Sequence, residues 1–220
     1  MNCPSPVFQS AFFSAVVFLV SAAALVGARP AVADEITCGS LQNGGNGPFD
    51  YRGANRDSIE RAELVHFTPD VEMLRRGSTG TVGSDLSYVL AVSPNHHRAL
   101  AAMMNYQFKT RSEQPTGARW SVPCYFERAM RFQPDDGAVR TLYGVYLMRL
   151  GKPSDAVAQF EKAASLGEDS GNLHYNLGLA YFDVGDYDKS LAEARKAYHM
   201  GFDLPGLRDK LTKAGKWPPS

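Results

Sequence analysis

The sequence predicts an all-α protein built as a solenoid of helix-turn-helix repeats, with an extended N-terminal arm and a C-terminal capping helix. Residues 137–170 and 171–204 repeat each other at a spacing of 34 residues, with Gly144, Gly151, Ala156 and Ala163 of the first recurring as Gly178, Gly185, Ser190 and Ala197 of the second. A period of this length, with small residues at matched positions, marks an array in which each unit is one antiparallel helix pair. The segment 58–134 carries helical apolar spacing between turn signals, which predicts two further, irregular pairs. Residues 34–57 hold six glycines or prolines among few aliphatics and keep neither helix nor strand periodicity.

The chain opens on an apolar stretch, 11–25, followed by Ala31-Val-Ala33, and Arg29 is the one charged side chain before Asp34. This pattern predicts a signal peptide over 1–33, with the mature protein starting at Asp34 in the periplasm or outside the cell. The segment has no Lys or Arg before its apolar run, so the alternative is an uncleaved signal that anchors the protein in the membrane. After cleavage no other segment is apolar enough to span a bilayer. Two cysteines then remain, Cys38 and Cys124. In an oxidising compartment two thiols pair, which predicts a disulfide tying the arm to a helix; the alternative is a buried Cys124 and a free Cys38. Lys plus Arg and Asp plus Glu both number 23, so the charge balance gives no footprint for nucleic acid.

From about Asp57 the elements follow in order. Thr68-Pro69-Asp70 predicts a helix start, and Arg75-Arg76-Gly77 a basic last turn with a glycine stop. A second helix is expected over 84–92, ending before Pro94, and a third from near His96 through Phe108. Thr110–Gly117 is a loop, and a fourth helix runs from about Ser121 to Phe132. After the two repeats, residues 205–220 predict a cap with Leu207 and Leu211 inward and Arg208, Lys210 and Lys213 in water.

The repeats resemble the tetratricopeptide repeat family. With Gly137 as position 1, the family's small, glycine, small, aromatic and alanine positions fall on Gly144, Gly151, Ala156, Phe160 and Ala163; with Gly171 as position 1 they fall on Gly178, Gly185, Ser190, Ala194 and Ala197. Phe126, Ala129 and Pro134 match the end of an earlier unit, and Leu86, Val89 and Pro94 the end of one before it. The two prolines are 40 residues apart, so the unit between them carries about six extra residues, placed in the Thr110–Gly117 turn. The resemblance implies a right-handed solenoid whose first helices line a concave groove for a peptide or protein. It places Ala138, Thr141, Val145 and Met148, then Asn172, Tyr175, Leu179 and Phe182, on that groove. Members that clamp a carboxyl terminus use paired basic residues with asparagine; here only Asn176 fits, so that clamp is not carried over.

The candidates for chemistry are few. His96 and His97 are adjacent, and neighbours at a helix start point about 100° apart rather than at one ion. Asp183–Asp188 resembles half of a calcium loop but lacks its central glycine and terminal glutamate, and it falls on an inter-helix turn. The sequence thus implies no metal and no cofactor. It predicts a non-catalytic scaffold or adaptor of the bacterial cell envelope that binds a protein or peptide in its groove. Two alternatives remain: an envelope enzyme or metal-binding protein with a site near His96, His97 and His66, or a structural solenoid whose groove is filled by its own arm at Pro48–Tyr51.

Overall fold

The computed structural model describes residues 38–42, 47–54 and 56–218 together with Met1. The chain divides into a unit Met1–Glu35 and a unit Ile36–Ser220. The expected signal segment and the cleavage point before Asp34 lie outside the described residues. The second unit contains α1 (Asp57–His66), α2 (Pro69–Glu72), α3 (Val82–Val92), α4 (His97–Thr110), α5 (Val122–Phe132), α6 (Gly137–Arg149), α7 (Pro153–Ser165), α8 (Gly171–Asp183), α9 (Tyr187–His199) and α10 (Gly206–Lys213). Four antiparallel pairs stack in sequence: α1 with α3, α4 with α5, α6 with α7, and α8 with α9, with the single turn of α2 inserted in the first pair and α10 closing the last.

Local chemistry sets the helix starts. The side chains of Thr81, His96, Asp136, Ser170 and Asp186 each accept a backbone N–H from the first turn of α3, α4, α6, α8 and α9. Pro69, Pro123 and Pro153 occupy first-turn positions, where a missing N–H costs nothing. The tight turns inside the two regular pairs pass through Gly151 at φ +73° and Gly185 at φ +86°, backbone that side chains rarely adopt.

One expected boundary is corrected. The helix that starts at Pro69 ends at Glu72, not on Arg75–Gly77, and Thr68 makes no side-chain cap. Leu74 turns left-handed at φ 57° to bury its side chain, and Lys109 Nζ grips its carbonyl oxygen. Arg76 then folds back on Asp70 at the start of the same helix, Nε to Oδ2 at 2.7 Å.

The interior is a chain of local cores, as stacking of pairs requires. Phe67, Leu86, Leu100, Phe126 and Tyr146 centre the first; Leu147, Phe160, Leu173 and Leu177 fill the second, between α6, α7 and α8. Tyr175, Ala194, Ala197, Leu207 and Leu211 make the third, so α10 buries the face that a further repeat would cover. Leu207 and Leu211 are buried as the cap reading expects, while Lys210 pairs with Asp183 at 2.7 Å. Asp183 and Asp186 thus serve a cap pairing and a helix start.

The arm has no helix or strand over its described residues and lies along the second helices of the first two pairs. Cys38 and Cys124 form a disulfide, Cα atoms 5.2 Å apart. Arg128 of α5 donates to the carbonyls of Cys38 and Ser40, both at 2.8 Å, and Arg131 to that of Gly39 at 2.7 Å. Phe49 N–H donates to Val92 O at 2.9 Å. Asn95, between α3 and α4, accepts Tyr51 N–H and donates to Asp50 and Asp136.

Candidate functional site

The first helices of three successive pairs, α4, α6 and α8, present one face side by side. A concave pocket of about 270 Å³ opens on it, lined by His97, Arg98 and Ala101 of α4, Ala138, Thr141 and Leu142 of α6, Glu168 of the turn between α7 and α8, and Asn172 in the first turn of α8. Small side chains make the hollow. Ala101 and Ala138 leave its floor open, and the Thr141 hydroxyl turns back to donate to Gly137 O at 3.0 Å, so its methyl is left for the pocket. Gly137 permits the approach of Glu168, whose Cβ would lie 2.7 Å from any Cβ added there.

The charges around the pocket are mostly spoken for. Glu72 of α2 takes Arg98 Nε at 2.9 Å and holds that guanidinium firmly protonated, with Phe67 beneath it. His97 Nε2 lies 2.9 Å from Asp136 Oδ2. Burial pushes the Asp136 carboxyl up, but the hydrogen bonds from His97 and Asn95 outweigh it and hold it below the usual carboxylate range. Among the described residues Glu168 has no cationic partner, so the uncompensated charge lining the pocket is negative. An apolar hollow with one free carboxylate suits an apolar side chain next to a basic group.

The expected groove residues divide. Thr141 and Asn172 line the pocket. Val145 and Met148 are half-buried against the second core, and Leu179 and Phe182 against the third, where Phe182 sits between Tyr187 and Lys210. Asn176 is bonded to Asn172, donating to its carbonyl at 2.8 Å. Tyr175 is corrected: it is 8% exposed, packs against Phe202 with centroids 4.9 Å apart, and belongs to the third core. The capping segment claims this position because the last pair has no further repeat to cover it. Sequence reasoning overlooked the α4 contribution. Counting back 40 residues from Ala138 and Thr141, the spacing of Pro94 and Pro134, reaches Arg98 and Ala101.

The three histidines weighed as a metal or catalytic group are not brought together. His96 is the cap of α4: its Nδ1 accepts Ala99 N–H at 3.1 Å, so Nε2 carries the proton and donates to Glu63 Oε1 at 2.7 Å. Burial pushes its pKa down to about 4 against the pull of Glu63. His97 faces Asp136 and His66 faces Asp85, so each imidazole has its own carboxylate. Among the described residues no group of three or more His, Cys, Asp or Glu side chains is placed to hold a metal ion. Pro48–Tyr51 do not line the pocket, nor do the other described residues of the arm, and Tyr51 packs against His96 and His97, its ring centroid 5.1 Å from that of His97.

This is a helical-repeat fold with a pocket across the first helices of three successive pairs. Residues 171–199 match the family model of the tetratricopeptide repeat, so the chain carries a repeat of that type. Proteins of this kind mediate protein–protein interaction. The DnaJ homolog subfamily C member 3 of Gallus gallus is 29% identical over 68 residues, which are 31% of this chain and 14% of that protein, so the chain spans a small part of its length. Solved structures similar to it include a mutant of MamA, at 19% identity and a TM-score of 0.44 over 69% of this chain and 81% of that one. The thermophilic protein TTC0263 of Thermus thermophilus is 19% identical, with a TM-score of 0.49 over 73% and 82% of the two chains. Among the described residues no helix is long and apolar enough to cross a membrane.

Proposed function

We propose that this chain is an exported, non-catalytic adaptor of the bacterial cell envelope that holds a peptide segment of a partner protein across α4, α6 and α8. The observation that carries the reading is the apolar concave pocket at the α4–α6–α8 face, with Glu168 at its edge. The partner segment places an apolar side chain between Ala101, Ala138 and Leu142 and a Lys or Arg beside Glu168. Export is supported by the signal-like stretch 1–33 and by the Cys38–Cys124 bridge, a bond that persists in oxidising compartments.

Capture from an envelope extract tests it. Ala101→Glu puts a charge in the hollow from a half-buried position, and Glu168→Lys reverses the charge at its edge. Both variants are expected to melt like wild type and to lose at least about tenfold in capture. Undiminished capture by both refutes the groove. N-terminal sequencing of the exported protein is expected to begin at Asp34; full-length protein retained in membranes refutes cleavage.

A further inference from the structure

A second pocket, of about 260 Å³, lies at the opposite end of the array from α10. Its walls are Ser58, Arg61, Ala62, Val65 and His66 of α1, Tyr88 and Val92 of α3, and Phe49 of the arm. Phe49 is seated there by its backbone bond to Val92 O. Five of these eight side chains are apolar or aromatic, and none is a carboxylate.

The polar groups are specifically oriented. Asp85, one per cent exposed, accepts Ser78 N–H at 2.7 Å, Thr79 N–H at 3.2 Å and the Thr79 hydroxyl at 2.6 Å, and its Oδ1 lies 2.9 Å from His66 Nδ1. Burial pushes this carboxyl up, but the bonds from Thr79, His66 and Ser78 outweigh it and keep it ionised. An ionised carboxylate only accepts, so His66 Nδ1 carries the proton. Tyr88 packs against the imidazole, centroids 4.0 Å apart with the ring planes tilted by 32°. Nε2 is left without a protein partner among the described residues and, with Nδ1 protonated, accepts hydrogen bonds in the neutral ring. Arg61 donates to Ser58 Oγ at 2.9 Å and has no carboxylate partner among the described residues. The pocket therefore offers one free guanidinium, one hydrogen-bond acceptor and an apolar wall. Arg61 and His66 are five positions apart on α1, about 7.5 Å of helix, a gap that two side chains reaching inward close around a single residue-sized ligand.

We propose that this pocket binds an apolar α-amino-acid unit with a free carboxylate: the carboxylate on Arg61 and the Ser58 hydroxyl, the N–H on His66 Nε2, and the side chain against Phe49, Val65 and Val92. Free phenylalanine or leucine and the last residue of a peptide share this chemistry. The site stands apart from the α4–α6–α8 pocket and does not depend on it.

NMR titration of the full mature chain tests the proposal with three probes: L-phenylalanine, N-acetyl-L-phenylalanine and N-acetyl-L-phenylalanine amide. At least one of the two carboxylates is expected to saturate, with shifts confined to Arg61, His66 and Tyr88, and the amide to bind at least about tenfold more weakly. Binding of the acetylated acid assigns the site to a peptide terminus, and binding of phenylalanine alone to the free amino acid. Arg61→Gln, at an exposed position, is expected to lose at least about tenfold for the carboxylates. Val65→Trp, also exposed, fills the hollow and is expected to abolish binding with no change in melting. No saturable shift at about 10 mM of either carboxylate, or equal affinity for acid and amide, overturns the proposal. So does indifference to Arg61→Gln.

Discussion

Gly144 and Gly178 occupy the same repeat position, and the sequence makes them equivalent; the structure separates them. A Cβ on Gly144 would lie 2.5 Å from Cε1 of Phe160 and 2.7 Å from two further ring atoms. That ring is wholly buried in the second core between α6, α7 and α8, and to restore ordinary contact it must retreat by about 1 Å into packed neighbours. Overpacking of this kind costs about 1–3 kcal/mol, while Gly to Ala inside a helix returns about 1 kcal/mol of propensity. Gly144→Ala is therefore expected to destabilise by about 1 kcal/mol, or about 2–4 °C in melting temperature for a unit of this size. A Cβ on Gly178 instead meets Cδ2 of Leu207 at 2.6 Å, the tip of a flexible side chain on α10, with the nearest backbone atom, Ser190 O, at 3.3 Å. The leucine can turn aside, so Gly178→Ala is expected to stay within about 0.5 kcal/mol of wild type once propensity is included. Thermal and urea unfolding of both variants is the assay. A double variant with Phe160→Leu should recover part of the Gly144→Ala loss, a coupling of at least about 0.5 kcal/mol. A Gly144→Ala protein that melts at or above wild type, or a double variant that is strictly additive, refutes the reasoning.

Three further outcomes follow from the same geometry. His96 is held neutral in the fold, its pKa near 4 against 6.5 when exposed, so the unfolded chain binds more protons between these values. Stability is then expected to fall as pH drops from about 6.5 toward 4, by up to about 3 kcal/mol, and His96→Asn, which keeps a cap acceptor, should flatten that part of the urea-midpoint profile. Reducing the Cys38–Cys124 bridge, which spans 86 residues, removes a constraint worth up to about 4–5 kcal/mol on the unfolded chain; hydrogen exchange should quicken first at the Phe49 and Tyr51 amides, and unchanged exchange there would show that the bridge does not hold that part of the arm. Tyr175→Ala is expected to cost about 3–5 kcal/mol and to loosen α10, as loss of a buried aromatic does, and a variant that melts normally would return Tyr175 to the groove.

The sequence by itself determined the all-α repeat architecture, because a period of 34 with small residues at fixed places leaves an apolar face on each pair that only a neighbour can cover. Pro69 and the turn before His96 act within a turn or so of their own position, so the starts of those helices were legible without a fold. What the tertiary structure decided is which faces remain open. Tyr175 matches a groove position in register, yet the segment from Phe202 to Leu211 folds over it, a contact between residues 27 or more apart that no local pattern encodes. Arg98 and Ala101 belong to the pocket through a pair whose lengthened turn hides the repeat spacing. The three histidines look alike along the chain, but Glu63, Asp85 and Asp136 assign each a separate partner, and only folding brings a carboxylate to one imidazole rather than another. Local signals fix where helices begin; burial, which depends on what arrives from elsewhere in the chain, fixes which side chains are left to bind.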